Sequence, residues 1–199
     1  MKAGFIGLGA MGWHMAGHLA QAKLLGGLWN RSTDKARALG DELAVPVVDS
    51  PAALWALADA VVLCVRADEE VLQMVKALAV PEAQGRLVID TSTVSVETAR
   101  EAATLLAEVG ARFLDAPITG GTEGARLARI TFMVGGEAAD VEAATPLFAA
   151  MGARHVHLGA VGAGQACKAV NQVMAAGINQ AVTEGIAFAE ALGLNIDQV

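Results

Sequence analysis

Gly4-Phe5-Ile6-Gly7-Leu8-Gly9-Ala10-Met11-Gly12 is the stretch whose reading decides the fold. Lys2 to Ile6 forms a short apolar run that reads as a strand, and Gly7-x-Gly9-x-x-Gly12 is the turn out of it. Met11, Met15 and Leu19 recur at helical spacing, so a helix begins inside the glycine run. In that order, strand, turn and helix are the context in which GxGxxG becomes a dinucleotide fingerprint. Each glycine has its own steric task. Gly7 permits the tight turn, Gly9 lets the backbone approach a pyrophosphate, and Gly12 lets the helix pack against the strand. The pyrophosphate then rests on free N–H groups at the helix N-terminus, making Gly7, Leu8, Gly9, Ala10, Met11 and Gly12 candidate cofactor contacts. A glycine turn kept for packing alone is the competing reading.

Working outward, the same strand–helix alternation continues. Leu25–Trp29 reads as a second strand, a short helix spans about 34–43, and Val45–Val48 reads as a third strand. Ser50 caps a further helix with Pro51 in its first turn. Ala60–Val65 has the apolar β-rich character of a buried parallel strand, followed by a helix at 68–78 and a strand at 87–90. Beyond these come a helix at 96–109, a strand at 112–115, and a glycine-rich loop at 116–129. The last αβ pieces are a strand at 130–134, a helix at 137–151 and a strand at 154–157. Short connections between alternating elements imply a Rossmann-type, doubly wound, mostly parallel α/β sheet. Gly159–Gly164 is the one late glycine-dense break, which divides the chain into residues 1–161 and 162–199. Gln165–Leu192 then reads as a single helix of about 40 Å, too long for a crossover and suited to bridging into another domain.

Composition narrows the classes. The 199 residues are 54% hydrophobic, enough for a full core without disulfides. A formal charge of −7 argues against nucleic acid or an anionic membrane as main partner. Cys64 and Cys167 are far apart without metal-ligand spacing, and no apolar run reaches spanning length. The first strand begins at once, with no room for a signal peptide, so the expectation is a soluble cytoplasmic protein. His14 and His18 have metal spacing but lack a third ligand, His155 and His157 have no evident partner, and no metal site is expected.

The candidate chemistry lies at strand ends. Where an NAD enzyme usually places Asp or Glu after the second strand, this chain has Asn30, Arg31, Ser32 and Thr33. An amide, a guanidinium and hydroxyls suit a 2′-phosphate, so NADP is favoured with NAD possible; otherwise Arg31 is a solvated charge beside a turn-forming Asn30. Ser92 and Thr93 in Asp90-Thr91-Ser92-Thr93 either bond substrate and nicotinamide or cap the next helix, though Ser95 is better placed as cap. Thr119-Gly120-Gly121 offers backbone N–H groups and a hydroxyl for a carboxylate, or is an ordinary loop. Lys168, Asn171 and Gln172 stand at i, i+3 and i+4 on one helical face. Their helix is apolar elsewhere (Val170, Val173, Met174, Ile178) and is expected to be buried on most sides, where a lysine must neutralise, pair or do chemistry.

Together these four motifs resemble the β-hydroxyacid dehydrogenase family, which includes 3-hydroxyisobutyrate dehydrogenase, tartronate semialdehyde reductase and glyoxylate/succinic semialdehyde reductases. GFIGLGAMG (4–12) matches its cofactor signature, DTSTV (90–94) its DxST segment, DAPITGG (115–121) its substrate loop and GAGQACKAVNQ (162–172) its catalytic helix. The resemblance implies that Thr93 contacts the dinucleotide while Ser92 and Thr119-Gly120-Gly121 hold substrate. It makes Lys168 the proton donor, with Asn171 as its positioning partner. It also implies an all-helical C-terminal domain, absent here, and a homo-oligomer built through it. Three departures from the pattern stand out. Thr119 replaces the usual Ser, and Val65-Arg66 replaces Leu-Pro, placing a positive charge near the cofactor. Gln172 replaces a second Asn, as in tartronate semialdehyde reductase. The expectation is an NADP-dependent oxidoreductase interconverting a small 3-hydroxy acid and its semialdehyde. The rivals are an imine reductase-like member, which would carry another residue at 168, and a non-catalytic NADP-binding module.

Overall fold

The computed structural model describes all 199 residues. The first half runs β1 (Ala3–Ile6), α1 (Gly12–Gln21), β2 (Leu25–Trp29), α2 (Thr33–Leu43), β3 (Ala60–Leu63), α3 (Asp68–Leu78), β4 (Leu87–Asp90) and α4 (Val96–Ala107). The second half runs β5 (Arg112–Asp115), β6 (Ile118–Thr119), α5 (Gly121–Arg126), β7 (Ile130–Gly135), α6 (Ala138–Met151), β8 (Gly152–Gly159) and α7 (Ala163–Ala191). The strands form one sheet in the order β2-β1-β3-β4-β5-β7-β6, with β8 also paired to β7. The five strands from β2 to β5 are mutually parallel. β7 runs antiparallel to β5 and β6, and β8 returns parallel to β7. The antiparallel step follows from connection length. α5 and its flanking turns reverse the chain locally, whereas a parallel return needs a full crossover.

Why the strands are apolar on both faces is visible in their side-chain alternation. Phe5, Val62, Ile89 and Leu114 point to the side covered by Met15 and Leu19 of α1, Leu39 of α2 and Phe148 of α6. Ile6, Val61, Val88 and Phe113 point to the opposite side, beneath Val71 and Val75 of α3 and Leu106 of α4. This is the Rossmann-like doubly wound arrangement, a mostly parallel mixed sheet with helices on both faces. The chain passes from β1 to β2 on one side and then to β3 on the other, so the strand order reverses at β1. In open α/β sheets the crevice at such a reversal, beyond the strand carboxyl ends, is where ligands bind.

The structure corrects four expectations. Val45–Val48 is no strand but a single parallel bridge, Leu28 to Val47. Pro46 interrupts it by contributing only a carbonyl, which accepts from Leu28 N–H. The helix expected after Pro51 is a short 3₁₀ segment, Ala52–Ala56. The loop at 116–129 contains β6 and α5. The long helix is not buried on most sides. Beyond Asn171 it is exposed almost throughout, with Val173 at 74% and Phe188 at 67%, because no other element folds back over it. No helix is long and apolar enough to cross a membrane.

Candidate active site

A cleft of about 420 Å³ opens at the carboxyl ends of β1, β2 and β3. Its floor is the glycine turn, and the three glycines are constrained differently. Gly7 has φ +96°, and a Cβ there would lie 2.2 Å from the Cys64 carbonyl oxygen. A Cβ on Gly12 would lie 1.9 Å from the Gly7 carbonyl, so close docking of α1 on the turn demands glycine. A Cβ on Gly9 would meet nothing within 4 Å. The protein itself therefore gives no steric reason for glycine at position 9, whereas a pyrophosphate seated on the turn does. The backbone N–H groups of Gly9, Ala10 and Met11 make no bond within the chain, and no side chain caps α1. Their free donors and the helix dipole fit a dinucleotide diphosphate.

The cleft's other wall is the end of β2. Asn30 Oδ1 accepts from Leu8 N–H at 3.0 Å and its Nδ2 donates to Ser32 O at 3.1 Å, so this amide ties the two turns together. Arg31 is exposed and pairs with Glu70 of α3 at 3.1 Å. Glu70 also accepts from Arg66 N–H at 3.0 Å, and that bond, with Arg31 beside it, holds the carboxyl below its ordinary range. Arg31, Ser32, Lys35 and Arg66 converge on the same cleft, three cations against the single carboxylate of Glu70. Lys35, Glu70, Gln73 and Met74 were not singled out from sequence. Lys35, four residues after Arg31, sits in the first turn of α2, a spacing that could have revealed it. Cys64 packs against the core and also lines the cleft, and burial pushes its thiol up to about 11, so it stays protonated.

Beyond Val65 and Arg66 comes the end of β4. Ser95 is indeed the cap of α4, its Oγ accepting from Thr98 N–H at 3.1 Å. Ser92 is buried; its Oγ accepts from Val65 N–H at 3.0 Å, linking the loops after β3 and β4. Thr93 is exposed. Thr91 Oγ1 donates to Leu63 O at 2.6 Å, and Asp90 Oδ1 accepts from Ser92 N–H at 3.0 Å. The second oxygen of Asp90 has no partner, and burial pushes this carboxyl up to about 6 despite its Ser92 hydrogen bonds.

α7 is anchored here by two residues that sequence reading left aside. Asp115, the last residue of β5, accepts from Gly162 N–H at 2.7 Å and Gln165 N–H at 2.9 Å. Gln165 in turn accepts from Val94 N–H at 3.2 Å and donates to Ser92 O at 2.9 Å. One turn further, Lys168 is 9% exposed, donates from Nζ to Ile118 O at 2.8 Å and has no ion-pair partner. Burial lowers its pKa from the ordinary lysine value. Thr119 is half-buried next to that carbonyl, and Gly120 and Gly121 follow with φ of +127° and +65°. Asn171 is half-buried, while Gln172 is exposed, and neither side chain bonds to the protein. The structure thus brings Ser92, Thr119 and Lys168 to one end of the sheet and leaves Gln172 outward; the cleft itself stops short of them. Three histidines gain partners that the sequence did not show, His155 among them with Nε2 3.4 Å from Thr145 Oγ1. His18 Nε2 lies 3.0 Å from Ala125 O, and His157 Nε2 lies 2.8 Å from Gly136 O.

Residues 2–159 match the family described as the NAD binding domain of 6-phosphogluconate dehydrogenase. An uncharacterized oxidoreductase of Shewanella frigidimarina is 36% identical over 197 residues, 98% of this chain and 68% of that protein. The 2-hydroxy-3-oxopropionate reductase of Escherichia coli is 35% identical over 209 residues, 97% of this chain and 66% of that one. The solved structure of Mycobacterium tuberculosis 3-hydroxyisobutyrate dehydrogenase with L-serine is 35% identical with a TM-score of 0.89, covering 98% of this chain and 66% of that one. The chain therefore spans about two thirds of the length of these relatives. With the glycine cradle and the four motifs in place, the match over nearly the whole chain shows that this protein belongs to the β-hydroxyacid dehydrogenase family of nicotinamide-dependent oxidoreductases.

Proposed function

We propose that the protein is an NADP-dependent oxidoreductase that interconverts a small 3-hydroxy acid and its semialdehyde, of the 3-hydroxyisobutyrate or tartronate semialdehyde/glyoxylate type, in the cytoplasm. The observation that carries this reading is Lys168, a buried lysine without a carboxylate partner beside the loop that would hold substrate. When bound, the nicotinamide supplies or takes the hydride at the substrate carbon. The protein's share is binding, orientation and the proton. Gly9 to Gly12 seat the diphosphate, and Arg31 turns from Glu70 to the 2′-phosphate, with Lys35 and Arg66 adding positive charge. Ser92 and Thr119-Gly120-Gly121 hold the substrate carboxylate. As the carbonyl oxygen gains electrons in reduction, Lys168 passes it a proton, and in oxidation it takes that proton back. Its lowered pKa brings both forms nearer to neutral pH. Asn171, one turn on, orients the ammonium. In this reading residues 162–199 begin a second unit, and copies of the protein associate through it.

The test is oxidation and reduction by the full-length protein across a panel of 3-hydroxyisobutyrate, glycerate, glyoxylate, tartronate semialdehyde and succinic semialdehyde, with NADP(H) and with NAD(H). Turnover of at least one member, with NADP(H) preferred, is expected. No turnover of any, with the cofactor bound, would refute the reading.

A further inference from the structure

The helix that carries Lys168 is bare for most of its length. Its contacts with the rest of the chain are concentrated in the first turns, and they centre on two side chains. Asp115 is fully buried at the end of β5 and grips α7 with both carboxylate oxygens, one on Gly162 N–H and one on Gln165 N–H. The grip is close. A Cβ on Gly135 would lie 2.4 Å from one Asp115 oxygen, and a Cβ on Gly164 would lie 2.8 Å from the other. A carboxylate against the free N–H groups of a helix N-terminus is favoured by bonding and by the dipole together. It fixes where the helix starts.

Gln165 fixes the rotation. It is 2% exposed, and its amide spans the loop after β4, accepting from Val94 N–H and donating to Ser92 O. Lys168 lies three residues on, hence on the same face and nearly one turn along. Its other restraint is the Ile118 carbonyl, which receives Nζ. A loop that must hold Ser92 and Thr93 and a helix that must present Lys168 are therefore joined by one amide in two bonds. An ionised carboxylate in its place could accept from Val94 N–H but would oppose the Ser92 carbonyl.

We propose that Gln165, seated by Asp115, is a positioning residue that sets Lys168 against the Ser92 loop and so governs proton transfer. The proposal rests on the role given to Lys168 above. Displacement by about 1 Å from working geometry costs on the order of 100-fold in rate, so the effect belongs in kcat. Gln165→Glu in the full-length protein is expected to lower kcat by roughly 10- to 100-fold, with the NADPH dissociation constant within twofold of wild type. A structural contribution alone would reduce Lys168→Met as much as it reduces the wild type. Positioning through Lys168 predicts otherwise: Gln165→Glu costs little further once Lys168 is Met, in single-turnover NADPH oxidation with the fastest panel substrate. Gln165→Met, neutral and similar in volume, carries the same comparison if the buried glutamate prevents folding. The ¹³Cε resonance of Lys168, assigned by its loss in Lys168→Met, gives a reading without substrate and is expected to shift in both Gln165 variants. Equal cost in the two backgrounds, or an unmoved Lys168 resonance, would overturn the proposal. Normal turnover by Lys168→Met would instead overturn the function on which it rests.

Discussion

Replacing Gly9 and Gly12 by alanine, one at a time, separates what the chain needs from what its ligand needs. Alanine at position 12 puts a methyl 1.9 Å from the Gly7 carbonyl oxygen, inside any tolerable contact. Either α1 must slide outward by more than 1 Å or the turn must open. Overpacking of this kind costs about 3 kcal/mol or more against rigid backbone, which for a chain of this size lowers Tm by roughly 6–12 °C. Alanine at position 9 meets nothing within 4 Å and does not require a positive φ. Its stability is expected to be unchanged or raised by up to ~1 kcal/mol, because the unfolded chain loses freedom. Binding should reverse this order of harm. A methyl on the turn holds the diphosphate off the N–H groups of residues 9–11, forfeiting at least one charge-assisted hydrogen bond. That is about 2–3 kcal/mol, or roughly 30- to 150-fold in Kd. Thermal melts without ligand, followed by calorimetric titration with NADPH, measure both quantities on the same samples. A Gly9→Ala variant that binds NADPH as tightly as wild type would refute the placement of the diphosphate on this turn.

Arg31→Ala should remove most of a preference for NADPH over NADH of about 1.5–3 kcal/mol, while Glu70→Gln should tighten NADPH by freeing Arg31 from an exposed pair worth at most ~1 kcal/mol; equal wild-type affinity for both cofactors in the titration would exclude the 2′-phosphate site. Lys168→Met keeps the apolar stem and removes the proton, so kcat should fall at least ~100-fold with NADPH affinity little changed. The exposed apolar row of α7, Val173, Met174, Ile178 and Val182 among it, should make the 199-residue chain self-associate and bind a hydrophobic dye; a strictly monomeric, dye-free chain at high concentration in sedimentation would count against it. Asp90 has a folded pKa raised to about 6, so the native state holds its proton more tightly than the unfolded chain does. Its contribution is fully present below about pH 4 and is lost as pH rises through about 6, roughly 3 kcal/mol in all. Asp90→Asn should flatten that segment of the Tm–pH profile, and a parallel profile would show that Asp90 is not the group.

How far sequence alone reached follows from which interactions are local. The glycine turn, the parallel strands and most helix positions were legible because steric freedom and periodicity belong to a few neighbouring residues. Asp90-Thr91-Ser92-Thr93 and the Lys168 row were legible as groups for the same reason. The bridge at Val47 escapes local reading because a four-residue apolar run looks like a strand until Pro46 is set against its partner. The exposure of α7 escapes it too, because an apolar stripe reports what a helix can bury, not whether anything covers it. Asp115 and Gln165 were invisible in another sense. Asp115 reads as the end of a strand, and Gln165 as one polar residue in a helical turn; each acquires its role from a contact 47 to 73 residues away. No local pattern encodes such a contact. The same holds for Glu70, whose hold on Arg31 joins α3 to the end of β2 across 39 residues. Short-range chemistry therefore named the groups proposed here to meet the cofactor and substrate, while the side chains that tie their loops and helix together emerge only when the sheet brings its strand ends together.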